Sequence, residues 1–317
     1  MALSNDAISA LLPVKNGEIY LESLLPNILS MLTSDDELVV INDGSSDQTR
    51  SIIEKYCTSD SRLRLINTQG IGLVKALNLG VESAAHKWVA RFDVDDEYPK
   101  NRIDEERKLM NDDVSVIFSD YQFISKRGVN LGRVYSAVFH LPTTLSLISS
   151  QRTAHPSALI NRRLLLQCGG YLEKDYPAED LALWLRLSQC GKLISVPNKL
   201  LLYRLSGTSI SGQTRQIQLR KKDELISDYA LWPLWQNKCI EFFEETILSY
   251  RSTPNAPERL LLHIRDILLV SNQINIKVPY SRLFGQIGIG MSLRMVYSLL
   301  KIYYFTMLRR LYRFVRL

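Results

Sequence analysis

The stretch Asp93-Val94-Asp95-Asp96 puts three carboxylates within reach of one another, directly after the apolar run Trp88–Phe92. Such groups repel unless something cationic shares their space. A hard divalent ion, Mg2+ or Mn2+, takes oxygen-only ligands of this kind. A calcium EF-hand loop is a poor fit, because its sixth position needs glycine and Tyr98 stands there. An acidic turn capping a helix that starts near Pro99 explains the same residues, so the cluster alone leaves both readings open. Asp43, in Asn42-Asp43-Gly44-Ser45-Ser46-Asp47, could accept a hydrogen bond from a base N–H such as that of uracil, or simply form an Asp-Gly turn. Glu179 and Asp180 precede a helical stretch, Leu181–Cys190. The helix dipole favours their ionised form, which a general base needs. Ordinary acidity at a helix start is the simpler alternative.

The elements that must position these residues alternate. Ile8–Val14, Leu38–Ile41, Arg62–Ile66 and Trp88–Phe92 read as strands. Helices are expected over Glu18–Leu32, Asp47–Tyr56 and Ile71–Ala85, the second opened by a capping box of Ser45 and Gln48. This βα order implies an α/β fold with a mostly parallel central sheet flanked by helices. Ligands bind such sheets beyond the carboxyl ends of the strands, so Asp43 and Asp93 should face one crevice. Further on, Val114–Phe123, Ser157–Ile160, Leu193–Val196 and Leu200–Leu205 read as strands, and the pattern turns helical from about Gln213.

The chain has 317 residues, 46% hydrophobic and 23% charged, as expected of a folded protein with a sizeable core. Its net charge is +6, yet residues 267–317 hold no Asp or Glu and eight Lys or Arg, so the remainder is mildly acidic. On a helical wheel, 291–317 separates Arg294, Lys301, Arg309, Arg313 and Arg316 from Val296, Leu300, Tyr304, Met307, Leu311 and Phe314. Its charges interrupt every run long before the ~18 apolar residues of a spanning helix. The pattern suits an amphipathic helix on a membrane interface, or one packed on the domain with its arginines in solvent. No nucleic-acid motif is present. Cys57, Cys168, Cys190 and Cys239 form no C-x-x-C pair and read as reduced thiols of a cytosolic protein. No signal peptide is expected. Gly70-Ile-Gly72 is not a dinucleotide fingerprint, because Lys75 stands where the third glycine belongs.

Taken together, Ile8–Gly17, Val39–Asp47, Gly70–Gly80, Arg91–Asp96, His155-Pro156-Ser157, Gly169-Gly170-Tyr171, Glu179-Asp180 and Tyr203-Arg204 resemble, in order, the motifs of family 2 glycosyltransferases, inverting enzymes of the GT-A fold. The resemblance covers about residues 7–211. It implies a GT-A domain over 1–212, with a nucleotide-binding half to about 98 and an acceptor half after it. Residues 213–317 would form a helical C-terminal region.

The resemblance further implies a donor site of Pro13, Lys15, Asn16, Glu18, Asp43, Gly70, Lys75, Arg91, Asp93 and Arg204. Asp95 would be the main ligand of Mn2+ or Mg2+, assisted by Asp93, with Asp96 of second rank. Asp180 would be the catalytic base with Glu179 beside it, and His155 would shape the acceptor side rather than bind metal. Lys15 stands where the family often has an aromatic residue, and Ser206 where it often has a metal-binding His. The implied partners are a nucleotide-sugar, UDP-linked by expectation, and a glycan or polyprenyl-linked glycan acceptor. The implied setting is the cytoplasmic face of an inner membrane, in surface-polysaccharide synthesis. Two other classes compete: a sugar-nucleotide nucleotidyltransferase, whose Gly-rich, Arg-bearing loop Pro13–Gly17 does not provide, and a non-catalytic nucleotide-sugar binding module.

Overall fold

Alternation along the first strand decides what covers each face of the sheet. A computed structural model of the chain describes residues 6–136, 153–205 and 210–228. In β1 (Ile8–Val14), Ile8, Ala10, Leu12 and Val14 share a buried core with Leu21, Leu25 and Ile28 of α1 (Glu18–Leu29) and Ile53 of α2 (Thr49–Ser59). Leu11 points the other way, against Gly80 of α3 (Leu73–Ser83), where any Cβ would collide with the Leu11 side chain. Helices therefore lie on both faces, and the period of two in the strand sequence sorts them.

β1 lies between β2 (Glu37–Asp43) and β4 (Trp88–Arg91), and β3 (Leu63–Thr68) pairs with β2, all parallel. Beyond β4 the sheet changes direction. β7 (Leu159–Asn161) runs antiparallel to β4 and to β5 (Val114–Ser125), β6 (Asn130–Val134) pairs antiparallel with β5, and β8 (Lys192–Leu205) pairs parallel with it. Three short helices complete the described fold up to β8: α4 (Arg102–Arg107), α5 (Arg162–Gln167) and α6 (Glu179–Leu187). α7 (Ile210–Asp228) follows, so the division expected at 212 falls within this helix. Met1–His140 and Arg152–Ser227 cluster as one compact unit. The expected basic helix of 291–317, together with Ser206, His140, His263 and Cys239, lies outside the described residues.

Several local expectations need correction. The two strands expected at Leu193–Val196 and Leu200–Leu205 are one strand, β8. Pro197 and Asn198 bulge between partners Ser119 and Asp120, because proline cannot donate to the ladder while the chain keeps its direction. Pro13 is tolerated inside β1 for a related reason. Leu11 O accepts from Phe92 N, so Leu11 and Pro13 turn their backbone groups toward β4, which ends before it reaches Pro13. The capping box does not form. α2 begins at Thr49, whose N–H is taken by Asp47 Oδ1 at 3.0 Å, while Ser45 Oγ accepts from Asn16 N at 2.9 Å. The stretch expected as a strand from Ser157 is a 3-10 turn at His155–Ser157 followed by β7.

The thiols also differ from four unrelated cysteines. Cys168, at the end of α5, and Cys190, just after α6, bring their sulfurs to 2.7 Å as free thiols. Thiol–disulfide exchange with oxidised glutathione is expected to join them, the two thiol hydrogens and electrons passing to two molecules of reduced glutathione. Peptide mapping under non-reducing conditions checks this, and Cys190→Ser should abolish the cross-link.

Below the acidic cluster, α4 carries an ion pair with both side chains wholly buried, Arg102 Nε to Glu106 Oε1 at 3.1 Å. The Arg102 guanidinium lies 4.3 Å from the Phe92 ring centroid and 4.9 Å from that of Tyr98. Burial pushes the Glu106 carboxyl up to about 7, with Arg102 opposing the rise. Removing one partner of such a pair leaves an uncompensated buried group. Arg102→Leu is therefore expected to lower stability by about 3–5 kcal/mol in chemical denaturation, and the double variant with Glu106→Leu should recover much of the loss.

Candidate active site

The carboxyl ends of β2, β1 and β4 lie side by side, so Asp43 and the Asp93–Asp96 stretch flank the turn that follows β1. Two strand spacings put these acidic positions about 10 Å apart. Three loops meet there, and their side chains cross-link them. Asn16, with φ of 54°, accepts Ser46 N at 2.9 Å through Oδ1. Glu18 Oε2 accepts Gln48 N at 2.8 Å, and Thr49 Oγ1 accepts Gly17 N at 2.8 Å. Asn16 and Glu18, expected at the donor, thus use these oxygens to tie the β1–α1 turn to the β2–α2 turn.

Asp43 holds the third loop. Its Oδ1 accepts from Thr68 Oγ1 at 2.5 Å and Ile71 N at 2.7 Å, and its Oδ2 from Gly72 N at 2.9 Å. Burial would raise its pKa, but these bonds and the nearby Lys15 hold it below the usual carboxylate range. Oδ1 is saturated, so a base N–H would be met by the remaining lone pair of Oδ2. The closeness of the two loops requires glycine. Gly44 has φ of 68°, and a Cβ there would lie 2.7 Å from Gly70 N. Lys15 is exposed, with Nζ 3.7 Å from where a Gly70 Cβ would be, so it stands over the loop that Asp43 clasps. Pro13 is buried in β1. Lys75 points away to an exposed ion pair with Glu173 at 3.2 Å.

On the other side of β1 the acidic cluster divides. Asp93 is partly exposed; its Oδ1 meets Arg91 Nη2 at 2.6 Å and its N–H is accepted by the Tyr98 hydroxyl at 2.7 Å. Asp95 is half-buried, and burial followed by the adjacent Asp93 pushes its carboxyl up to about 6. Asp96 is buried and faces β8, accepting Arg204 N at 2.7 Å. Burial, Asp93 and Asp95 raise its pKa well above the carboxylate range. Asp96 thus turns inward, with Oδ1 anchored and Oδ2 buried without a partner. Arg91, expected to touch the donor, is instead 2% exposed and turned inward, with Nη1 donating to Phe92 O. Arg204 is also buried, and its guanidinium donates to protein oxygens: Asp95 O, Ser125 O, Lys126 O and Glu97 Oε1.

The start of α6 reaches the same place. Glu179, Asp180 and Tyr171 lie in the electrostatic field of both Arg91 and Asp93. Asp180 Oδ1 accepts Leu181 N at 2.7 Å, and Glu179 Oε2 is buried without a hydrogen-bond partner. Burial, then Asp180, pushes Glu179 up to about 7, and burial raises Asp180 although the Leu181 N–H opposes it. His155 Nε2 sits 2.9 Å from the Tyr171 hydroxyl, and burial together with Arg91 holds the imidazole neutral, its pKa well below the usual value. Asn78 of α3 fixes Tyr171 by bonding both its N–H and its C=O, at 2.9 and 2.8 Å. Tyr98 and Arg102 stand outside every motif in the sequence, Asn78 lies within Gly70–Gly80 without an implied role, and only their contacts reveal that they support the site.

Among the described residues, no group of three His, Cys, Asp or Glu side chains could hold a metal ion by itself. The oxygen donors of Asp93 and Asp95 suit a hard cation in type, as part of a shell that other ligands complete.

The profile of glycosyl transferase family 2 matches residues 9–170, and the chain belongs to this family. It is a glycosyltransferase with a GT-A fold. An uncharacterized glycosyltransferase of Haemophilus influenzae is 28% identical over 218 residues, covering 65% of this chain and 67% of that protein. A putative teichuronic acid biosynthesis glycosyltransferase of Bacillus subtilis, TuaG, is 26% identical over 211 residues, 65% of this chain and 81% of that protein. The chain spans only about a third of the length of several Rickettsia relatives. Among solved structures, S. aureus TarS 1–349 in complex with UDP superposes with a TM-score of 0.53 at 19% identity, covering 97% of this chain and 91% of that one. The mannosyltransferase PcManGT from Pyrobaculum calidifontis, in complex with GDP-Man and Mn2+, gives 0.51 at 15% identity, covering 95% and 81%. These likenesses confirm the fold. No helix among the described residues is long and apolar enough to cross a membrane.

A base works in its ionised form, and a raised pKa delays ionisation until the pH climbs past it. If the Glu179–Asp180 pair supplies the base, kcat/KM, followed as nucleoside diphosphate release, should rise with pH along a limb near the value of about 7 given for Glu179. Glu179→Gln should move that limb to lower pH, because each carboxylate raises the other's proton affinity. A limb left in the ordinary carboxylate range would contradict the assignment.

Proposed function

We propose that this chain is an inverting glycosyltransferase that moves a sugar from a nucleotide-sugar, UDP-linked by preference, to a hydroxyl of a glycan or lipid-linked glycan in surface-polysaccharide synthesis. The observation that carries this reading is the shared field of Asp93, Glu179 and Asp180 around the buried Arg91, at the carboxyl end of the parallel strands. In this reading the arrangement sets a donor-side carboxylate and an acceptor-side base in one crevice.

In this reading the nucleotide lies over the β1 and β2 ends. Pro13 and Lys15 line its pocket, Gly70 leaves room for it, and Asp43 Oδ2 reads a base N–H. Asp180 takes the proton of the acceptor hydroxyl, whose oxygen attacks the anomeric carbon while the nucleoside diphosphate departs from the opposite face. A single displacement inverts that carbon. General-base assistance of this kind contributes ~10²–10⁴-fold. Glu179, raised to about 7, holds a proton for part of the time near neutral pH and so relieves the pair of carrying two charges in a buried space. Asp95, with Asp93, would hold Mn2+ or Mg2+, which when bound offsets the charge that develops on the diphosphate. The TarS structure in complex with UDP and the PcManGT structure in complex with GDP-Man and Mn2+ support a nucleotide donor and a divalent ion. TuaG's name supports a polysaccharide product. Residues 291–317 would bring the enzyme to the cytoplasmic face of a membrane carrying its acceptor.

A panel of nucleotide-sugars screened by thermal shift with Mn2+ identifies the donor. With that donor, Asp180→Asn is expected to abolish transfer while donor affinity stays within about twofold, measured by calorimetry, as expected when only transition-state help is lost. Undiminished transfer would remove Asp180 from the role of base.

A further inference from the structure

Arg204 lies near the end of β8, where the strand meets the acidic loop. Leu202 and Glu97 exchange backbone hydrogen bonds, Leu202 N to Glu97 O at 2.8 Å and Glu97 N to Leu202 O at 3.1 Å. Two residues on, Arg204 N donates to Asp96 Oδ1 at 2.7 Å and its Nε to Asp95 O at 2.7 Å. Nη1 donates to Ser125 O at 3.2 Å and Lys126 O at 3.1 Å, at the β5–β6 turn, and Nη2 to Glu97 Oε1 at 2.5 Å. The Tyr20 ring of α1 covers the guanidinium at 5.9 Å. The residue is only 8% exposed. Its planar fork is thus occupied by oxygens on three sides, and a diphosphate would have to displace these acceptors to reach it.

We propose that Arg204 is a positioning residue and not a donor ligand: it clamps the Asp95–Glu97 turn to β8 and to the β5–β6 turn, and so fixes the backbone from which Asp95 presents its carboxylate to a divalent cation. The inference rests on the metal role of Asp95 proposed above. The clamp works through the Asp95 carbonyl and the Asp96 side chain, leaving the Asp95 carboxylate as the group still available at the loop. Supporting residues behind a metal ligand typically change metal affinity by about 10–100-fold when lost. Lysine cannot substitute, because one ammonium on a flexible stem cannot meet Asp95 O, the β5–β6 carbonyls and Glu97 at once.

The test uses the full chain, UDP as the nucleotide probe, and electron paramagnetic resonance of free Mn2+ as the readout. Wild type, Arg204→Lys, Arg204→Ala and Glu97→Ala are titrated with Mn2+ in the presence of UDP. UDP binding without metal is measured separately by calorimetry. The expected result is a Mn2+ dissociation constant raised about 10–100-fold by both Arg204 variants, with metal-free UDP affinity unchanged. Glu97→Ala, which removes only the Nη2 partner, should give a smaller loss in the same direction.

Retained Mn2+ affinity in Arg204→Lys, or metal-free UDP binding weakened as much as metal binding, would overturn the clamp in favour of a charge acting on the diphosphate. Should the Arg204 variants fail to fold, Glu97→Ala decides: unchanged Mn2+ affinity rejects the proposal. If wild type itself binds no Mn2+ with UDP, the metal reading of Asp95 fails, and that result is distinct from failure of the clamp.

Discussion

Arg91 ends β4 with its guanidinium sealed from solvent, 2.6 Å from Asp93 and within the field of Glu179, Asp180, Asp95 and Asp96. Carboxylates gathered at low dielectric cannot all stay ionised without a cation among them. Arg91 is that cation on the inner side, and burial does not threaten its charge as it would that of lysine. The remaining imbalance appears as raised pKa values at Asp95 and Glu179, each first by desolvation and then by its carboxylate neighbour. The chemistry of the site grows from this residual negative charge, which draws cations and holds protons near neutral pH.

Everything around that charge serves to keep it in place. The Tyr98 hydroxyl bonds the Asp93 backbone from beneath, and Tyr98 is itself stacked on the buried Arg102, which Glu106 neutralises. Asn78 reaches from α3 to hold Tyr171, whose hydroxyl meets a neutral His155. Arg186 of α6 ties to Asp175 at 2.9 Å and to Gly170 O at 2.6 Å, so the helix bearing Glu179 and Asp180 is fastened to the Gly-Gly-Tyr turn. Polar groups this deep contribute geometry only when they are bonded, and most of them are.

The side of the site next to β2 is built differently. Its loops are held by short polar side chains, Asn16, Glu18, Ser45, Asp47 and Thr49, bridging turns that follow neighbouring parallel strands. Asp43 acts mainly as a backbone clasp with one lone pair to spare. A site with few free side chains and many fixed backbone groups is suited to a nucleotide, whose base and phosphates offer donors and acceptors at set spacings.

Much of this was legible in the sequence, because strand alternation and helical periodicity are local signals. The βα order through Trp88, the placement of Asp43 and Asp93 beyond strand ends, and the Glu179-Asp180 helix start all follow from neighbours in the chain. What needed the tertiary structure was the direction each polar side chain takes. Asp96 and Asp95 are adjacent in sequence, yet one is buried against β8 and the other stays partly exposed, and Arg91 and Arg204 turn inward although their motif suggests a ligand. Cys168 and Cys190 meet only because α5 and α6 end together. A residue's type sets which bonds it can make; which of them form is decided by partners dozens of residues away, brought near by the sheet, and no local spacing encodes that choice.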